Sequence, residues 1–192
     1  MNKIAKLSAL AFAAMAFAAG CSHVKSSPVV ANAPDWVNKG TGAFKDASGA
    51  QVFYGVGVLQ GVRNQGLARP AADDLGRAEI ARIMNSYVTS LTKSYMASTT
   101  AGAMDKSSEE QLVSQTMKNF AKFTLIGAIP VDHYVDRSIP NSQVMYSLVK
   151  LDMAAVKKSL DESKELDAKM RDYVKANAAK AFDELSAEEA KH

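Results

Sequence analysis

The chain has 192 residues, 47% of them hydrophobic and 22% charged, which suits one folded domain and not a disordered or collagenous chain. A single cysteine excludes an internal disulfide, and three histidines are too few for a His/Cys zinc scaffold, so no metal or other cofactor is expected. The formal charge of +3 loses two units with Lys3 and Lys6 of the leader described next, and the remaining bases alternate with acids without an aromatic-bearing basic stripe, so nucleic acid is not an expected partner.

Lys3 and Lys6 precede an uncharged apolar run from Leu7 to Ala19. That run is shorter than the roughly 20 residues a membrane-spanning helix needs, so residues 1–20 read as an export signal. Ala18-Ala19-Gly20-Cys21 then sets small residues directly before the only cysteine, which resembles the lipobox of bacterial lipoprotein precursors. Thioether attachment of a diacylglycerol needs a thiol, and the peptidase needs small residues ahead of it. Cys21 is therefore the expected lipidation site and the first residue of the mature chain, with acyl chains of the palmitate class. The alternative is an ordinary cut after Ala16-Phe17-Ala18 that leaves Cys21 a free thiol. Each buried methylene contributes about 0.8 kcal/mol, so several chains on one cysteine anchor a domain durably. Ser22, where an Asp would retain such lipoproteins in the inner membrane, implies an outer-membrane location. Residues 21–33 comprise the lipidated cysteine and a flexible tether rich in Ser, Pro and small side chains.

Pro34-Asp35-Trp36-Val37 reads as a turn or one helical turn, with Trp36 packing on the domain rim, and 41–50 reads as a surface loop. Val52, Tyr54, Val56 and Val58 alternate with Phe53, Gly55, Gly57 and Leu59, the period of a strand whose glycines admit a close helix. Pro70 is placed to open an amphipathic helix carrying Ile80, Met84, Tyr87, Val88, Leu91 and Tyr95 on one face. A break is expected over 97–106. Ser107 and Glu110 form a capping box for a second helix through Leu112, Met117, Phe120 and Phe123. Residues 129–136 and 143–151 alternate as the two strands of a hairpin. From 153 to 188 the pattern predicts one helix roughly 50 Å long, too long for the domain to cover. Its 153–185 stripe is then the candidate assembly surface. Glu165 with Lys169 and Asp167 with Arg171 are expected to pair along it.

The expected architecture is α+β, in the order β-α-α-β-β-α: a small antiparallel sheet with helices on one face and a long C-terminal helix. The α+β domain occupies 34–151, and the charged amphipathic helix 152–192.

Catalytic signatures fail on spacing. The third glycine after Gly55 and Gly57 arrives one residue late for a dinucleotide loop, and no helix follows it. Ser90-Leu91-Thr92-Lys93 and Ser147-Leu148-Val149-Lys150 lack the partner motifs of Ser-acylating enzymes. His133, a lone strand histidine, faces away from Asp132 and Asp136. No catalytic residue is assigned, and the expectation is a protein that is not an enzyme.

The lipobox, Pro34-Asp35-Trp36, Tyr54-Gly55-Val56-Gly57 and the run from Ala71 through Arg77-Ala78-Glu79-Ile80-Ala81 together resemble the LPP-twenty family of bacterial outer-membrane lipoproteins over about 34–151. The resemblance implies helices on an antiparallel sheet, no catalytic residues, and a company that includes surface antigens and flagellar accessory lipoproteins. Within the motif, Arg77 can pair with Asp73 or Asp74, and Ala78 and Ala81 can seat the helix on Gly55 and Gly57. The expected role is structural: self-association or membership of an envelope complex. The alternative is a regulatory module binding a ligand or partner in a groove beside 54–60 and Arg63.

Overall fold

A computed structural model describes residues 30–99, 106–140, 142–164 and 166–191. Cys21, the leader, the tether as far as residue 29, Glu165 and the side chains of the Ser107–Glu110 box lie outside that description. The elements in order are α1 (Asp35–Lys39), β1 (Gly42–Lys45), β2 (Gln51–Gln60), α2 (Gln65–Thr99), α3 (Lys106–Thr124), a 3₁₀ turn (Leu125–Gly127), β3 (Ile129–Asp136), β4 (Val144–Asp152), α4 (Met153–Glu162) and α5 (Ala168–Glu189). The four strands form one antiparallel sheet in the order β1-β2-β4-β3. The architecture is the expected α+β one, with a long C-terminal helix and the larger helices on one face.

The alternating strands fall where their period put them, and β2 pairs with β4 along nine positions from Val52↔Asp152 to Gln60↔Val144. Residues 41–50, expected to be a loop, contain β1. Its Gly-Ala-Phe-Lys run pairs with 51–54 around a turn in which Asp46 Oδ1 accepts hydrogen bonds from the Ser48 and Ala50 amides and the Ser48 hydroxyl. Those bonds hold the Asp46 carboxyl below the usual carboxylate range, and Gly49 supplies the positive φ of 81° that the turn requires.

Helix α2 has 35 residues, about 52 Å, and starts earlier than expected because Asn64 caps it: Asn64 Oδ1 accepts from Gly66 N at 2.9 Å. Pro70 therefore sits inside the second turn rather than opening the helix. Its apolar face is the expected one, with Ile80, Met84, Tyr87, Val88 and Leu91 all buried. Its seat on the sheet is not. Ala72, Gly76 and Ile80 meet the strand glycines, while Ala78 is exposed. A Cβ on Gly57 would overlap the Ala72 carbonyl oxygen, and one on Gly55 the Gly76 carbonyl oxygen. Backbone is on both sides of that contact, so nothing soft can yield. Gly57→Ala is expected to cost about 3 kcal/mol, measured by urea unfolding; a loss within about 0.5 kcal/mol, the range of neutral surface changes, contradicts the close approach.

The expected single C-terminal rod is two helices. Asp167 caps α5 by accepting from Met170 N at 2.7 Å, and its backbone is extended, which ends any continuous helix there. Arg171 does not pair with Asp167. Its Nη2 donates to the Ser163 and Leu166 carbonyls and so satisfies the turn between the helices. The fold-back brings α5 alongside α2, and the stripe expected to await a partner is spent inside the domain: Val156, Leu160, Met170, Val174, Ala178 and Phe182 are all buried. Phe53 anchors this layer, edge-on to Tyr87 at 5.5 Å and to Phe182 at 5.0 Å. Tyr87 donates to the Ala178 carbonyl at 3.0 Å, and burial pushes its phenol far above the usual range.

Candidate functional site

The outer sheet face carries Phe44, Tyr54, Val58, Tyr134 and Tyr146, whose registers place them opposite the helix layer. Helix α1 crosses this face. Trp36 Nε1 donates to Asp132 Oδ2 at 2.9 Å, and the Lys39 ammonium lies 4.4 Å from the Phe44 ring centre. Trp36 is thus half-buried and hydrogen-bonded to the sheet. The chain enters here: Val30 is tied to Asn38 by its amide at 2.8 Å and its carbonyl at 3.2 Å. Cys21 stands nine residues before that fixed point. Tyr134 and Tyr146 pair at 6.0 Å, and burial, aided by Asp136, raises the Tyr146 phenol above its usual range.

Both sheet edges are blunted. At β1 the outward amide of Ala43 donates to Glu189 Oε2 at 2.7 Å and its carbonyl accepts from Ser186 Oγ at 2.8 Å. Asp183 completes this clasp, taking Lys45 at 3.4 Å and Gln51 Nε2 at 3.1 Å. Acidic and hydroxyl side chains of α5 thus close an edge. At β3 a bulge falls between Pro130 and Asp132, Pro130 has no amide hydrogen, and the His133 amide is taken by its neighbour Asp132 at 2.8 Å. Strand addition at either edge is therefore disfavoured.

His133 lies on the face away from Asp132, as alternation required, which is the helix side, and meets a partner the sequence reading did not give it. Its Nε2 lies 2.7 Å from Asp73 Oδ1, and the same oxygen accepts from Ser147 Oγ at 2.5 Å. Register pairs His133 with Ser147, so two strands and α2 converge on one carboxylate. Of the two partners expected for Arg77, it takes Asp74, at 3.2 Å. Serine and histidine both bond the aspartate, which ties α2 to β3 and β4, and Ser147 is fully buried beneath the helix. Asp73→Ala is expected to cost about 3 kcal/mol by leaving the buried Ser147 hydroxyl unpaired, and Asp73→Asn about 1 kcal/mol because an acceptor remains. Urea unfolding of both variants checks the order; equal losses contradict it.

Two grooves accompany these features. One, of 440 Å³, is lined by Arg63, Arg137, Ile139, Pro140, Ser142 and Gln143 at the loop end of the β3–β4 hairpin; it shares Arg63 with the groove expected beside 54–60 but takes in none of those strand residues. The other, of 550 Å³, runs between α2 and α3 over Val88, Ala121 and Leu125 and is edged by Asn85, Lys118 and Lys122. Among the described residues no group of three His, Cys, Asp or Glu could hold a metal ion, and no helix is long and apolar enough to cross a membrane. Sequence reasoning missed the Asp73 cluster because its members are 60 and 74 residues apart. It missed the α5 clasp because that partner strand was read as loop. No protein-family model matches the chain, and no curated protein is significantly similar to it.

Proposed function

We propose that the chain is a lipoprotein anchored in the outer membrane through acyl chains on Cys21, and that its α+β domain serves a structural or assembly role in the cell envelope rather than a catalytic one. The observation that carries this reading is Ala18-Ala19-Gly20-Cys21 following a cationic start and a short apolar run. The attachment of Val30 to α1 on the outer sheet face supports tethering at this point of the domain. The likeness to the LPP-twenty family supports the same reading and extends it to flagellum-associated assemblies.

The assembly surface cannot be the 153–185 stripe, which is used in the core. Self-association or docking onto an envelope partner falls instead to exposed side chains of the outer sheet face and of α3. The test is metabolic labelling with palmitate: the chain takes up label and fractionates with the outer membrane, whereas Cys21→Ser takes up none. An unlabelled native chain sinks the proposal. The second reading, a module that binds a ligand or partner, is favoured by one observation, the convergence of Arg63 and Arg137 on one cleft.

A further inference from the structure

Helix α3 is apolar on two sides. Its inward side, Met117, Phe120 and Ala121, belongs to the core. Its outward side carries Leu112, 68% exposed, and Phe123, 46% exposed, followed in the 3₁₀ turn by Ile126 at 77%. Residues 112 and 123 lie three turns apart on one face, and 126 continues it. Phe123 and Ile126, one turn apart, form an exposed apolar pair at the end of α3, and Leu112 stands on the same face three turns earlier, beyond Thr116 and Asn119. Lys118 and Lys122, one turn apart, flank this stripe where α3 borders the groove to α2, and among the described residues no acidic side chain lines that groove.

We infer that α3 lies on an anionic lipid surface, with Leu112, Phe123 and Ile126 entering the headgroup layer and Lys118 and Lys122 meeting lipid phosphates. Apolar residues beside lysines on one helix are the composition of an interfacial helix. A second copy of the chain is the weaker occupant, because an antiparallel pairing along this stripe lays the lysine flank of one copy against that of the other. Reach permits a bilayer there, although Val30 is fixed on the outer sheet face and α3 lies in the helix layer on the other side. The nine residues from Cys21 to Val30 span at most about 32 Å even when fully extended. This step rests on the lipid anchor proposed above, which fixes how far the domain can stand from the membrane.

The test uses the acylated chain purified from cells and returned to vesicles, with Ile126→Cys or, as a control on α2, Leu67→Cys carrying a nitroxide. Leu67 is also exposed, at 65%. In vesicles of phosphatidylethanolamine and phosphatidylglycerol, the label at 126 should become accessible to oxygen and shielded from a nickel complex, while the label at 67 stays aqueous. Vesicles of phosphatidylcholine alone, or Lys118→Glu with Lys122→Glu, should abolish the shielding. Both lysines are exposed, and an unchanged thermal transition shows that the charge-reversed domain is folded. Flotation with the vesicles reports the anchor and the label reports the stripe, so the two readings fail separately. A chain that floats with its 126 label aqueous overturns the inference, as does a label shielded without lipid in a chain of doubled mass.

Discussion

A chain ending at Leu160 will not fold, and Phe182→Ala alone will lower stability by about 3–5 kcal/mol. Phe182 is fully buried 5.0 Å from Phe53, itself fully buried in β2, so removing its ring opens a cavity between the sheet and α5 that neither rigid neighbour can fill. Domains of this kind are held by about 5–15 kcal/mol, so one such loss takes a large share of the total. Truncation removes more: Met170, Val174, Ala178 and Ala181 leave the core, Tyr87 loses the Ala178 carbonyl, and the outward groups of Ala43 lose Glu189 and Ser186. Thermal circular dichroism checks both, with Phe182→Ala melting at a markedly lower temperature and the truncated chain showing no cooperative transition. A truncated chain that folds and merely changes its oligomeric state would return the last helix to the role of an external surface.

The second large effect is on location. Cys21→Ser should move the protein almost entirely from the membrane fraction to the soluble one, or leave it as uncleaved precursor, while the fold of 30–191 is unaffected. Two or more long acyl chains, at about 0.8 kcal/mol per methylene, bind far more tightly than the α3 stripe can alone. Residual membrane binding by the serine variant should therefore be weak and salt-sensitive, because it depends on Lys118 and Lys122. Carbonate-washed membranes probed for both chains measure this, and equal retention of the two chains contradicts the anchor.

What the sequence made legible follows from the range of the interactions involved. Alternation in 52–59, 129–136 and 143–151 reflects side chains pointing to the two sheet faces in turn, and the Ile80-to-Tyr95 stripe reflects one helix face; both are local periods. Strand β1 is four residues long and bordered by glycines, and its outward groups are satisfied by residues more than 140 positions away, so nothing nearby announces it. The break before α5 lay in a charged run with good helix formers. Its one signal was Asp167 three residues before Met170, the spacing of an N-cap. Counting that stripe as free surface followed from missing the turn.

The candidate sites divide in the same way. Alternation put His133 on the face away from Asp132 and Asp136, but joining it to Ser147 needed the register, and joining both to Asp73 needed the angle of α2 on the sheet. The glycine pair of β2 was readable as a place of close approach; which helix residues approach was not, because Ala72, Gly76 and Ala78 are equally small. The pattern placed Phe120 and Phe123 on one helix without saying which is covered; Phe120 is buried and Phe123 is half-exposed, on the proposed lipid-facing side.

The central claim, a lipid anchor on Cys21, is tested most directly by the intact mass of the N-terminal peptide of the mature chain purified from membranes. The account requires a peptide beginning at Cys21 and heavier than its residues by a diacylglyceryl group, with or without a further N-acyl chain. A peptide beginning at Ala19 with an unmodified cysteine would contradict it.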